Sequence, residues 1–176
     1  EKISDKPQAR AGFLILYYTG LRIGELLALE YGDIDFKGCT INVNKSYQHI
    51  SGKDVVTSPK TLKSVRIVSI LEFLRDEIKS YTDRIYGLHK HDRIFPYTKS
   101  FFKHEMIRGT KDGEVKRIRL HEIRHSHASL LIEMGFSALA VADRLGHEKV
   151  ETTLNTYSHL FPRKRDEVAE KLQKLK

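Results

Sequence analysis

Cysteine is almost absent: Cys39 is the only one in 176 residues, which excludes an internal disulfide framework and fits a reducing compartment. Long apolar runs are missing too, since no stretch of about 18 apolar residues occurs and no transmembrane helix is expected. The opening Glu1-Lys2-Ile3-Ser4-Asp5 lacks the basic start and apolar middle of a signal peptide, so a soluble, cytoplasmic protein without membrane contact is expected. The chain also lacks an initiating Met and enters a helical pattern almost at once, which fits a piece of a longer protein. Internal repeats, low-complexity tracts and dividing linkers are absent, and the length suits one domain with a substantial core. Acidic residues are in deficit: 23 Asp and Glu face 31 Lys and Arg, a formal net charge of +8. A surplus of that size points to a nucleic acid or another anionic surface as partner.

What is present reads as mainly helical. Pro7 to Tyr18 carries Pro in its first turn and then Phe13, Leu14, Leu16, Tyr17 and Tyr18. Thr19-Gly20 breaks that helix, and Arg22 to Leu29 restarts it, with Arg22 one turn before Glu25 and able to pair with it. From Asp33 to Ile70 short alternating runs, among them Ile41, Val43, Val55, Val56, Ile67 and Val68, predict a three-stranded antiparallel sheet. Lys37-Gly38 and Ser51-Gly52-Lys53-Asp54 read as turns, and Pro59-Lys60-Thr61 as the connection before the last strand. Further helices are predicted over 71–86, around 101–107, and over 121–134, 138–145, 150–157 and 163–176, with Gly109 to Gly113 as a polar loop. Cys39 falls at a strand edge and is assigned no chemistry.

Two chemistries compete over the stretch from Arg119 to Leu160. His121-Glu122-Ile123-Arg124-His125 is an H-E-x-x-H string, in which two His one turn apart can hold zinc while the Glu activates a bound water. Against it, Arg124 would set a fixed positive charge beside a dication. The positions for the further Gly and His of one such motif hold Ala128 and Leu131, and Glu133, Glu148 and Glu151 are undistinguished third ligands. The other reading is phosphoryl transfer by Arg, His and a nucleophilic Tyr. Breaking a phosphodiester without metal needs neutralisation of the non-bridging oxygens, a nucleophile, and a proton for the leaving oxygen. Arg22, His121, Arg124, His147 and Tyr157 supply the residue types, because a guanidinium donates paired hydrogen bonds and keeps its charge, and a phenol can attack. Glu25 is read as a brace for Arg22, and His125 and His127 as packing or phosphate-contact positions.

The motifs settle the choice. Thr19-Gly20-Leu21-Arg22-Ile23-Gly24-Glu25-Leu26-Leu27-Ala28-Leu29 resembles the first motif of the tyrosine recombinases, the phage-integrase family. Leu120-His121-Glu122-Ile123-Arg124-His125-Ser126-His127-Ala128-Ser129 resembles the second. Leu145-Gly146-His147 followed by Thr152 to His159 is similar to the third. Ser58-Pro59-Lys60-Thr61 with Ser64-Val65-Arg66 resembles the hairpin that bears the family's lysine. The resemblance implies an α+β, mainly helical catalytic domain over 1–176 with a small three-stranded sheet. A DNA-clamping domain would precede it outside this chain.

The resemblance also implies roles. Arg22 and Arg124 would clamp the scissile phosphate, and His121 and His147 would donate further hydrogen bonds to it. Lys60 would protonate the leaving 5′ oxygen, with Lys63 on the same connection as its competitor. Tyr157 would attack to form a 3′-phosphotyrosyl link, with no metal, cofactor or ATP. The implied partner is double-stranded DNA, bound by a homo-tetramer whose 163–176 helices dock between protomers, with a DNA-bending or directionality factor as accessory; packing of that helix on its own domain is the alternative. A type IB topoisomerase shares the chemistry and is the nearest rival. A DNA-binding regulator without catalysis is disfavoured by the complete residue set.

Overall fold

The computed structural model describes residues 5–59, 61–161 and 173, and of Leu62 the main chain only. Lys60 and the helix expected over 163–176 lie outside the described residues. The chain runs α1 (Pro7–Thr19), α2 (Ile23–Ala28), β1 (Ile34–Asp35), β2 (Thr40–Val43), β3 (Ser46–Ile50), β4 (Lys53–Thr57), β5 (Arg66–Ser69), α3 (Glu72–Thr82), α4 (Lys99–Asp112), α5 (Leu120–Glu133), α6 (Ala138–Leu145) and α7 (Val150–Tyr157). The mainly helical α+β class expected from the sequence is what is found. Among the described residues no helix is long and apolar enough to cross a membrane.

The expected three-stranded antiparallel sheet exists in the order β1-β2-β5, with Ile34 opposite Ile41 and Ile41 opposite Val68. Those three side chains are buried, so one face of the sheet belongs to the core. The run around Val55 and Val56 does not join that sheet. It pairs as β4 with β3 in a separate antiparallel hairpin, Tyr47 opposite Val56. The turn is only Ser51-Gly52, both at positive φ (49° and 78°), the backbone that matches the twist of a tight hairpin. Lys53 and Asp54, expected in the turn, are therefore strand residues. The hairpin packs through its first strand against α2, where a Cβ on Gly24 would stand 2.7 Å from Ser46 Oγ and 2.9 Å from the Tyr47 carbonyl. Only a glycine lets strand and helix approach so closely.

Two helix boundaries differ from expectation. α3 starts at Glu72 and stops at Thr82, burying Leu74, Ile78 and Tyr81, whereas Leu71 and Tyr86 are exposed. The chain then closes through Arg84 N–H to Tyr81 and Ile85 N–H to Thr82, too tight for another helical turn. α4 instead absorbs the expected polar loop up to Asp112. Thr98 caps its start by accepting from Phe101 N–H, and the Thr110 hydroxyl folds back onto the Met106 carbonyl at 2.8 Å, so its polar end is satisfied within the helix.

The interior has two parts. The larger joins α1–α4, the sheet and the start of α5, with Leu16, Leu26, Ile41, Ile78, Phe95 and Phe102 fully buried or nearly so. The smaller lies between α5, α6 and α7 and consists of Ala128, Ile132, Val141, Leu145 and Tyr157, with Leu131 and Phe161 against it. Phe102 fills the centre of the larger part, edge-on to Phe13, Phe95 and Phe101 with ring centroids 5.6, 6.0 and 5.3 Å away. Phe102→Ala is expected to lower stability by about 3–5 kcal/mol, whereas the same truncation at the outward-facing Ile67 should change it by less than about 0.5 kcal/mol. Urea unfolding of both variants against the parent checks the contrast.

Candidate active site

Arg124 stands where the two parts of the interior meet. It lies on α5, is 4% exposed, and donates from Nη1 to the Gly20 carbonyl and from Nη2 to the Leu145 carbonyl, each at 2.6 Å. Both acceptors sit at the C-terminal ends of helices, α1 and α6, where carbonyls lack intrahelical partners and the helix dipole is negative. Gly20 and Gly146 end those helices in the left-handed conformation, at φ 68° in each case. Space at both is taken as well: a Cβ on Gly20 would lie 2.6 Å from His127 Cδ2, and one on Gly146 would lie 2.9 Å from Arg66 Nη1. Burial first, and then the charge of Arg22, push the Arg124 guanidinium down to about 9, so it remains a cation at neutral pH.

Arg22 caps the start of α2. Its main-chain N–H donates to Glu25 Oε2 at 2.9 Å and its Nη1 to Glu25 Oε1 at 2.8 Å, so the expected pairing is present. Glu25 also receives Arg66, from Nη2 to Oε2 at 2.9 Å and from Nη1 to Oε1 at 3.2 Å. Burial alone would raise the Glu25 carboxyl; Arg66, by hydrogen bond and charge, and Arg22 outweigh it and hold the group below the usual carboxylate range. Arg66 reaches further, from Nε to the Arg144 carbonyl at 2.9 Å and from Nη1 to the Ser64 carbonyl at 3.1 Å. It thereby ties α2, the end of α6 and the Leu62–Ser64 turn together. Arg66 lies in the Ser64-Val65-Arg66 motif, but no spacing in the sequence reveals this junction.

His147 follows Gly146, and its Nδ1 lies 2.8 Å from the hydroxyl of the fully buried Thr153 on α7. Burial, then Arg124, Arg22 and Arg66, lower it to about 4. His121 opens α5 and is lowered by burial, by His125 and by Arg124, Arg119 and Arg22. Tyr157 ends α7, is 5% exposed, and is raised by burial while Arg124 pulls it down. Its hydroxyl lies 2.6 Å from His125 Nδ1, and the His125 ring stands edge-on to His121 with centroids 4.6 Å apart. His127 is a packing residue: it is 3% exposed, its Nε2 accepts from Arg144 Nε at 3.0 Å, and burial and Arg144 lower it to about 4. Arg144 also donates to the Tyr18 and Ser69 carbonyls, a second junction that the sequence did not reveal.

The structure thus brings Arg22, His121, Arg124, His147 and Tyr157 into one electrostatically coupled cluster, with Lys60 outside the described residues. Lys63 is exposed in the Leu62–Ser64 turn. The His121–His125 string meets different partners from those a zinc site needs: Glu122 holds Arg119 through its main-chain N–H and its Nε, and His125 meets Tyr157. A groove of about 900 Å³ opens from the cluster, with Arg22, His121 and Arg124 on one side and Ser46, Gln48 and Lys99 on another.

Breaking the buried Arg66–Glu25 pair from one side is expected to cost about 3–5 kcal/mol, so Glu25→Gln should be that much less stable at pH 7. Because the folded Glu25 carboxyl is lowered, its contribution is present above the unfolded value of about 4.3 and is lost as pH falls through the folded one. Urea titrations of both proteins should therefore show the gap closing in acid. A gap that stays open below the folded value would mean that the pair's charge is not what stabilises.

Residues 1–164 match the phage integrase family. The chain is 39% identical over 176 residues to the ICEBs1 integrase of Bacillus subtilis (strain 168), covering 93% of this chain and 48% of that protein. It spans about half the length of the curated relatives it matches. Among solved structures it superposes on the Tn1549 transposon integrase, seen in complex with circular intermediate DNA, with a TM-score of 0.77 and 21% identity over 99% of this chain and 62% of that one. It also superposes on the XerA recombinase, with a TM-score of 0.70 and 26% identity over 93% and 60% of the two chains. With the family match running through all three motifs and the fold shared throughout, the chain belongs to the phage integrase family.

Proposed function

We propose that the chain is the catalytic part of a site-specific DNA recombinase of a phage or other mobile element. It cuts and rejoins DNA strands through a 3′-phosphotyrosyl link at Tyr157. The observation that carries this reading is a local surplus of positive charge: Arg22 and Arg66 share the single carboxylate of Glu25, while the buried Arg124 beside them has only carbonyl partners and is held down by burial and by Arg22. A phosphodiester anion seated between Arg22 and Arg124 relieves that repulsion. Metal is not required for charge neutralisation where guanidinium groups already supply it.

Each side chain then has a task. Two of the five N–H donors of Arg124 hold the Gly20 and Leu145 carbonyls, which fixes the plane of the guanidinium, and the rest face the phosphate. The tautomer in which His147 Nδ1 accepts from the Thr153 hydroxyl carries its proton on Nε2, and in that form neutral His147 donates a hydrogen bond to a non-bridging oxygen. His121 and Arg22 donate from the groove side. Tyr157 attacks phosphorus, the bond to the 5′ oxygen breaks, and Lys60 supplies that oxygen's proton, with Lys63 as the alternative donor. The phosphotyrosyl link keeps the bond's energy for rejoining, so ATP is not consumed.

The ICEBs1 relative and the DNA-bound Tn1549 integrase support recombination of double-stranded DNA over topoisomerase-like relaxation. A homo-tetramer on DNA joined through the 163–176 segments, an accessory DNA-bending or directionality factor, and a cytoplasmic site of action complete the proposal.

In EDTA, a nicked duplex bearing the ends of the encoding element should give a full-length protein–DNA band that survives SDS, and Tyr157→Phe should give none. Arg124→Ala should slow its appearance by about 10²–10³-fold, the loss of about 2.7–4 kcal/mol of transition-state stabilisation. The reading fails if the parent forms no adduct or if Tyr157→Phe still does. NMR titration offers a second check: the His147 imidazole, near 4 in the free protein, should titrate higher once a duplex supplies the anion.

A further inference from the structure

We propose that His125, and not His121, takes the proton from Tyr157 as its hydroxyl attacks. This rests on the phosphotyrosyl reading above and assigns the one proton transfer that reading leaves without an acceptor. The geometry carries it. His125 Nδ1 is 2.6 Å from Tyr157 Oη, within the range for direct proton transfer, and the two rings are tilted at 59° with centroids 5.5 Å apart. His121 lies one turn earlier on α5, at the groove, with its ring edge-on to His125. The two imidazoles thus divide the work, His121 towards the phosphate and His125 towards the nucleophile.

Tyr157 needs such a partner. Its side chain packs in the smaller part of the interior, where burial disfavours the phenolate, and the guanidinium of Arg124 offsets this only in part. In the forward step the Oη–H proton passes to Nδ1 while Oη bonds to phosphorus and the bond to the 5′ oxygen breaks. In the reverse step the 5′ hydroxyl attacks, the P–Oη bond breaks, and the imidazolium returns the proton to Oη. Atoms and charges balance in both directions without a further reactant. The titratable groups around His125 are His121 and Glu122 on α5 and Tyr157 on α7, with Arg124 as the neighbouring fixed charge.

The test compares full-length parent, His125→Gln and Tyr157→Phe. The probe is a nicked duplex bearing the ends of the encoding element, with sulfur in place of the leaving 5′ oxygen. A thiolate leaves without being protonated, so the pH profile reports the nucleophile's proton and not the leaving group's. Gln keeps a hydrogen bond to Oη but cannot take a proton. At pH 7 His125→Gln should form adduct about 10²–10⁴-fold more slowly than the parent, with unchanged melting temperature and duplex binding. Its rate should climb about tenfold per pH unit towards the phenol's own range, which burial raises above the ordinary value, so the deficit narrows in base. If the Gln variant melts early, His125→Ala with added imidazole replaces it, and recovery of rate is the expected result. A Gln variant within about fivefold of the parent at all pH values, a deficit that does not change with pH, or an Ala variant deaf to imidazole overturns the assignment. Absence of adduct from the parent would instead overturn the phosphotyrosyl reading, which keeps the two failures apart.

Discussion

The pair of hydrogen bonds from Arg124 to the Gly20 and Leu145 carbonyls is the constraint on which the rest of this structure depends. One guanidinium holds the end of α1 to the end of α6, and so joins the larger part of the interior to the smaller. A buried cation is tolerated only where oriented acceptors replace water, and two helix C-termini supply them. The acceptors reach it because Gly20 and Gly146 turn the chain through left-handed backbone in spaces with no room for a side chain. Motif glycines and motif arginine are thus one device, seen from both ends.

Around that device the balance of charge is deliberately incomplete. Glu25 accepts four hydrogen bonds, two from Arg22 and two from Arg66, and is the carboxylate against which those guanidinium groups are set. Arg124 finds only neutral carbonyl partners. His121 and His147 are both lowered by burial first, and then by charges that include Arg124 and Arg22 in each case. A cleft poised in this way favours an incoming anion over water, and it trades some native stability for that preference.

Much of this was legible in the chain. The helical periodicities placed α1, α2, α5, α6 and α7 within a residue or two, and the Arg22-to-Glu25 spacing implied their pairing. Spacing within one helix is local, and local physics is what a sequence displays. The hairpin β3–β4 was hidden because its strands are largely exposed and carry weak alternation, so Val55 and Val56 looked like a third strand of the core sheet. α4 was cut short because Gly109 and its polar neighbours mimic a loop, while Thr110 satisfies its own hydroxyl inside the helix. Arg66, Arg144 and His125 act through contacts 17 to 126 residues away along the chain, and no periodicity encodes such reach. Glu122 shows the converse: a local five-residue string suggested metal chemistry, and its carboxylate is occupied by Arg119.

Among the described residues the smaller part of the interior has five buried apolar side chains, and Tyr157 is one of them. α6 is tied to the rest by side-chain grips on carbonyls, Arg124 on Leu145, Arg66 on Arg144, and Arg144 itself on Tyr18 and Ser69. Among the described residues the polar side-chain links of α7 beyond its own helix are fewer, Thr153 to His147 and Tyr157 to His125. The position of the Tyr157 hydroxyl thus rests on one small apolar cluster and one imidazole, and a change to either reaches that hydroxyl before it reaches the larger part of the interior.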